Sequence, residues 1–221
     1  MAFVQGRVVE DATSGTSTAL AYTGALTSGT FLIALVAWNS SSLTASVSDS
    51  VNGAWTALGS PFTGVSGLAS WRAQLFALAG NAATSAATVT ATISGTVAQR
   101  RLAIHEYSNV ATYDAPSYAN ATNTTGTHTC PSVTPGLSTD QVFEAVVSQA
   151  AITTVDAPFT IRETAHLGTA DVGSPTAGTG YAAVFHTSTG GWDGIGASIV
   201  LHAPAAPSGG ARLRTLLGVG S

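Results

Sequence analysis

Which reactions this chain could run depends on how eleven carboxylates, five histidines, one cysteine and four tryptophans are spaced along its 221 residues. Glycoside hydrolysis needs two carboxyl groups facing one scissile bond, and a β-sandwich can supply them from a single strand. No Glu-x-Asp-x-x-Glu spacing occurs, and the one pair that neighbouring strands could bring together is Glu106 and Glu144. A zinc centre needs imidazole or thiolate ligands at short spacing. His105, His128, His166, His186 and His202 stand far apart, with no His-x-His, Cys-x-x-Cys or His-Glu-x-x-His run, so strand-surface histidines are expected. Serine is abundant but never occupies the Gly-x-Ser-x-Gly elbow that presents a nucleophile. The expectation is a protein that is not an enzyme, with glycoside hydrolase as the remote alternative.

Binding chemistry has more to work with. Asp49, Asn52, Asp114, Asp171 and Asp193 lie in Gly-rich or turn-like segments where oxygen ligands for calcium could converge. Asp and Asn also favour turns for their own hydrogen bonding, which explains the same placement without a metal. Exposed indole faces stack on sugar rings. Trp38 and Trp71 read as core, whereas Trp55 comes just after a hairpin turn and Trp192, next to Asp193 in "TGGWDG", has little local cover. A carbohydrate-binding or adhesin module using Trp192, Trp55 and Asp193 is therefore one of the readings, with a surface glycan as the ligand.

The elements that must position these residues are strands. Helical periodicity is missing, while period-two alternation recurs, as in "LTASVSD" (Leu43, Ala45 and Val47 on one face) and "TVTATIS" (Val89, Ala91 and Ile93). "FLIALVAW" at 31–38 is apolar on both faces and belongs in the centre of the fold. Further strands are expected at 3–10, 16–23, 54–58, 70–79, 98–107, 127–133, 140–149, 158–166, 180–187 and 195–202. The fold class is all-β: a two-sheet antiparallel β-sandwich, jelly-roll-like or concanavalin-like, over residues 1–203. The stretch 115–131, rich in Asn, Thr and Ala, reads as a long surface loop joining two halves of one domain.

Composition removes other classes. Only 8% of residues are charged and all seven basic residues are Arg. Before Ala203 there are five Arg against eleven acids, so the body has no basic face for phosphates and nucleic acid is not an expected partner. Arg100 and Arg101 are adjacent and should point to opposite faces of a strand. A single cysteine, Cys130, excludes an internal disulfide. No apolar run is long enough to span a membrane. "MAFVQGRVVEDAT" lacks the basic and apolar regions of a secretion signal, which points to synthesis in the cytoplasm.

The run from Gly29 to Ala115 resembles a family of β-sandwich modules found in bacterial extracellular proteins and in tailed-phage structural proteins. The pieces that carry the resemblance are "SGTFLIALVAWNSSS", "TASVSDSVNGAWTAL", "WRAQLFALAG", "ATVTATISG" and "RRLAIHEYSNVATYDAPSYA". Asp49, Asn52, Gly53, Trp55, Glu106, Tyr107, Ser108 and Asp114 fall in step with that pattern. "VNGAW" inverts the usual Gly-Asn order and Asn109 stands for a Gly, and both places should be turns with a positive φ, which Asn tolerates. The resemblance implies a fold more than an activity.

The chain closes with a spacer, "APAAPSGG", and the peptide "ARLRTLLGVGS". A Pro then Gly composition holds the last peptide away from the body, so residues 204–221 read as a flexible C-terminal docking segment. Arg212, Leu213, Arg214, Leu216, Leu217 and Val219 offer an apolar and basic surface that is too short to fold alone and could fold on a partner. Docking on the chain's own sandwich is the alternative. With the resemblance, these features lead to the expectation of an accessory virion protein of a tailed phage, on capsid or tail, assembled with other virion subunits.

Overall fold

The computed structural model describes residues 1–121, 126–188 and 193–205. Its strands fall into two successive sets. The first comprises β1 (Ala2–Asp11), β2 (Gly15–Ala21), β3 (Phe31–Trp38), β4 (Ala45–Asp49), β5 (Gly53–Ala54), β6 (Thr56–Thr63), β7 (Arg72–Leu78), β8 (Thr88–Val97) and β9 (Arg100–Ser108). The second comprises β10 (Thr112–Tyr113), β11 (Ser117–Ala121), β12 (Thr127–Thr129), β13 (Gln141–Ser148), β14 (Ile152–Val155), β15 (Thr160–Glu163), β16 (Leu167–Val172), β17 (Val184–Thr187) and β18 (Gly194–His202).

The two sets have the same topology. In the first, an inner antiparallel sheet runs β1-β9-β3-β7-β6 and an outer one β2-β8-β4-β5. In the second, the inner sheet runs β10-β18-β13-β16-β15, with β11 also on β18, and the outer one β12-β17-β14. β13 thus takes the place of β3, β18 that of β9, and β10 with β11 that of β1. The break between β10 and β11 falls at Asp114–Pro116, where proline has no N–H to give the ladder.

Hydropathy on both faces of the inner strands explains the stacking. All eight residues of β3 are buried. Leu32, Ala34, Val36 and Trp38 pack on Val47, Val89, Ala91 and Ile93 of the first outer sheet. Phe31, Ile33, Leu35 and Ala37 pack instead on Phe143, Ala145, Val147, Ile195, Ala197 and Ile199 of the other inner sheet. β13 repeats the device, sending Val142 and Val146 outward to Ile152, Ala183 and Phe185. The layers therefore read outer, inner, inner, outer. In the outer strand β8 only one face is apolar, so Val89, Ala91 and Ile93 are buried while Thr88 and Thr92 meet solvent.

The antiparallel all-β sandwich expected from the alternation is what the chain forms, in four sheets rather than two. The stretch 115–131 is not one long loop, since it holds β11 and β12. The strand expected at 158–166 ends at Glu163, and β16 comes after it. Among the described residues no helix is long and apolar enough to cross a membrane.

Candidate functional site

A cleft opens on the seam between the two inner sheets. It encloses about 420 Å³ and is lined by Glu10, Asp11, Ala12, Trp71, Gln99, Arg100, Arg101, Gln149 and His166. The end of β1 and the start of β9 pair antiparallel, with Glu10 opposite Arg101 and Asp11 opposite Arg100. Successive residues of a strand alternate faces, so the two arginines diverge as expected. Arg100 Nη1 donates to Gly15 O at 2.7 Å and Val97 O at 3.2 Å, and its other Nη meets Asp11. Arg101 turns to the opposite sheet, where Nη1 donates to Ser148 O at 2.7 Å and His166 O at 3.1 Å.

Several charges at the seam are held by one another. Glu10 accepts the His166 N–H at 2.6 Å and lies 2.8 Å from His166 Nδ1. The Arg101 guanidinium carbon sits 4.5 Å from the Trp71 ring centre, a cation–π contact. Burial lowers the Arg101 pKa to about 10, against the opposing pull of Glu10. Hydrogen bonds from Thr13, and then Arg100, bring the Asp11 carboxyl down to about 2. Gln149 donates to Gly67 O at 2.6 Å, and Gly67 N donates to Asp193 at 3.1 Å, so Asp193 supports this wall.

A second polar group locks the inner sheets together away from the cleft. Tyr107 donates to Asp171 at 2.8 Å, and Arg162 meets the same carboxylate through two bonds, of 2.8 and 2.7 Å. His105 lies between Phe3, Tyr107 and Phe143 with no exposed surface. Burial, then the charge of Arg162, depresses its pKa to about 3, so it is a neutral core residue. A Cβ at Gly6, the residue paired with it, would run into His105 Nδ1.

The carboxylates weighed for catalysis do not meet. Glu106 points toward the first outer sheet, where Gln5 Nε2, Thr27 N and Thr30 Oγ1 donate to it at 2.7, 2.8 and 2.9 Å. Glu144 points toward the second outer sheet and accepts the Ala183 N–H at 2.6 Å. The fourth residue of β3 is Ala34 and the fourth of β13 is Glu144, so a carboxyl occupies a position that is apolar in the other half. Burial raises the Glu144 pKa to about 8 and lifts the neighbouring Cys130 thiol well above its ordinary value.

The calcium candidates are dispersed. Asp49 accepts from Val51 N, Asn52 N, Asn52 Nδ2 and Trp55 Nε1 at 2.7, 2.6, 2.9 and 2.8 Å. Burial alone would raise its pKa, but these donors bring it below the usual value. Asp114 faces His202 at 2.9 Å and Asp171 faces Arg162. Among the described residues, no group of three or more His, Cys, Asp or Glu is placed to hold a metal ion. Trp55 is 6% exposed with its N–H on Asp49, so its ring is core and not a sugar platform. Trp38 and Trp71 are core, as expected.

The expected left-handed turn residue at 109 is there, with Asn109 at φ 57°. At the other turn Gly53 takes the positive φ, 82°, while the Asn52 side chain ties the hairpin to Asp49 and Asn81. His105 and His128 are buried rather than on strand surfaces, while His166, His186 and His202 each meet a carboxylate. Trp192 and the docking residues Arg212, Leu213, Arg214, Leu216, Leu217 and Val219 lie outside the described residues. Sequence motifs give no sign of the seam cleft, since Glu10, Gln99, Gln149 and His166 carry none. Only the adjacency of Arg100 and Arg101 points toward it. No known protein family matches the chain, and no curated protein matches it.

Proposed function

We propose that this chain is a non-catalytic accessory protein of a tailed-phage particle, on capsid or tail, held to other virion subunits through residues 212–219. The observation that carries the non-catalytic part is the use made of the polar residues in the resembling segment. Asp49 secures the β4–β5 hairpin and Trp55, Glu106 fastens the strand β9 to the 27–30 turn, and Tyr107 joins the two inner sheets. Those side chains serve the scaffold, and a scaffold with covered inner sheets suits a module that must keep its shape while exposed.

The particle part rests on the resemblance to tailed-phage modules, on the low charge and on the apolar, basic peptide behind its Pro/Gly spacer. Many copies held through one short peptide each would gain avidity in a symmetric assembly. Deleting Arg212–Ser221 tests the attachment. The expected result is a chain with an unchanged melting temperature that is no longer incorporated into particles. Normal incorporation of the truncated chain would overturn the assignment of these residues as the anchor.

A further inference from the structure

We propose that the seam cleft binds a neutral saccharide, a mono- or disaccharide or the matching end of a longer glycan. This goes beyond the particle reading and does not depend on it. Its volume of about 420 Å³ falls in the range of small-ligand sites. The lining excludes a charged ligand by balance: the carboxylates of Glu10 and Asp11 stand against the guanidinium groups of Arg100 and Arg101, leaving no net charge to select an anion or a cation. Arg100 is already committed to Asp11 and to two carbonyls, and Arg101 to two more.

What the cleft retains is a set of donors and acceptors suited to hydroxyl groups. His166 Nδ1 faces Glu10, which leaves Nε2 without a partner among the described residues. Gln99 is exposed, and its amide has no partner among the described residues. Glu10 keeps further lone pairs beside them. A sugar hydroxyl both donates and accepts, so neighbouring hydroxyls fit a surface where carboxylate, amide and imidazole adjoin. Trp71, buried beneath the Arg101 guanidinium, backs this polar surface without facing the ligand. Glu10 is set by β1, and His166 and Gln149 are held by their bonds to Glu10 and Gly67 O, so of these groups Gln99 is the one that must be ordered on binding.

The test uses the isolated full-length chain, so its outcome is independent of particle attachment. Side-chain amide resonances of Gln99 and Gln149 are followed while maltose, cellobiose, lactose, diacetylchitobiose and, separately, inorganic phosphate are added. The expected result is that at least one neutral sugar shifts the Gln99 signal, and that affinity falls about tenfold or more in the double variant Gln99→Ala, His166→Ala. Gln99→Ala alone, at an exposed position, gives a folded variant in which binding must already weaken. Three results would each overturn the proposal: no sugar shifts the Gln99 signal, sugar binding is unchanged in the variants, or phosphate binds where the neutral sugars do not.

Discussion

Replacing Glu144 by Gln should stabilise the protein, by an amount that depends on pH. The Glu144 carboxyl has no exposed surface, accepts one backbone N–H at Oε2, and has no partner at Oε1 among the described residues. Its pKa rises from an ordinary 4.5 to about 8, chiefly through burial. Between those values the folded chain holds a proton that the unfolded chain releases. Stability from this group is therefore complete below pH 4.5 and lost as pH rises toward 8. Each pH unit in that window is worth about 1.4 kcal/mol, so neutral pH, roughly two and a half units above the unfolded value, costs about 3 kcal/mol. Gln keeps the shape and the acceptor for Ala183 N–H but cannot ionise. Urea denaturation at steps from about pH 4 to about pH 8.5 should show the two proteins equal at the acid end, with the variant about 3 kcal/mol more stable at neutral pH. Parallel stability profiles, or a variant less stable at neutral pH, would refute the claim that this buried carboxyl is held neutral.

Other substitutions probe the seam and the core. Gly6→Ala would push a methyl group into His105 Nδ1, and should cost about 1–3 kcal/mol as overpacking does, read as a lower midpoint in urea. Arg101→Ala removes the bonds to Ser148 O and His166 O and uncovers Trp71, for a loss of roughly 2–4 kcal/mol that Arg101→Lys should restore only in part, since an ammonium lacks the planar fork. Cys130 is buried, with its thiol pKa raised by burial and by Glu144. It should resist a thiol reagent in mildly alkaline buffer while the chain is folded and react at the rate of unfolding, and prompt labelling of native protein would contradict its placement.

How much of this was legible in the residues depends on what alternation can encode. Period-two patterning at 43–49 and 88–93 identifies strands and their buried faces, and β4 and β8 conform to it. Burial on both faces of "FLIALVAW" places β3 inside the stack, and "QVFEAVVS" carries a similar signal with one carboxyl in it. Alternation does not say which apolar face meets which, so it cannot distinguish four layers from two. The repeated strand order is hidden because the equivalent strands share little sequence, as Ala34 against Glu144 illustrates. The hairpin roles of Asp49 and Trp55 are partly visible, since Asp at a turn favours local hydrogen bonds, yet the indole N–H on Asp49 is a contact that spacing alone cannot distinguish from an exposed ring. The cleft joins residues as distant as Glu10 and His166 through the packing of two sheets, and no local pattern marks such a meeting.

The proposed function is tested most directly by separating a lysate of the source culture on a density gradient and measuring this chain in the particle band by mass spectrometry. The account predicts that it is present there in a fixed ratio to the major particle subunit. Finding it only among soluble proteins, with none in the particle band, would contradict the assignment to a virion.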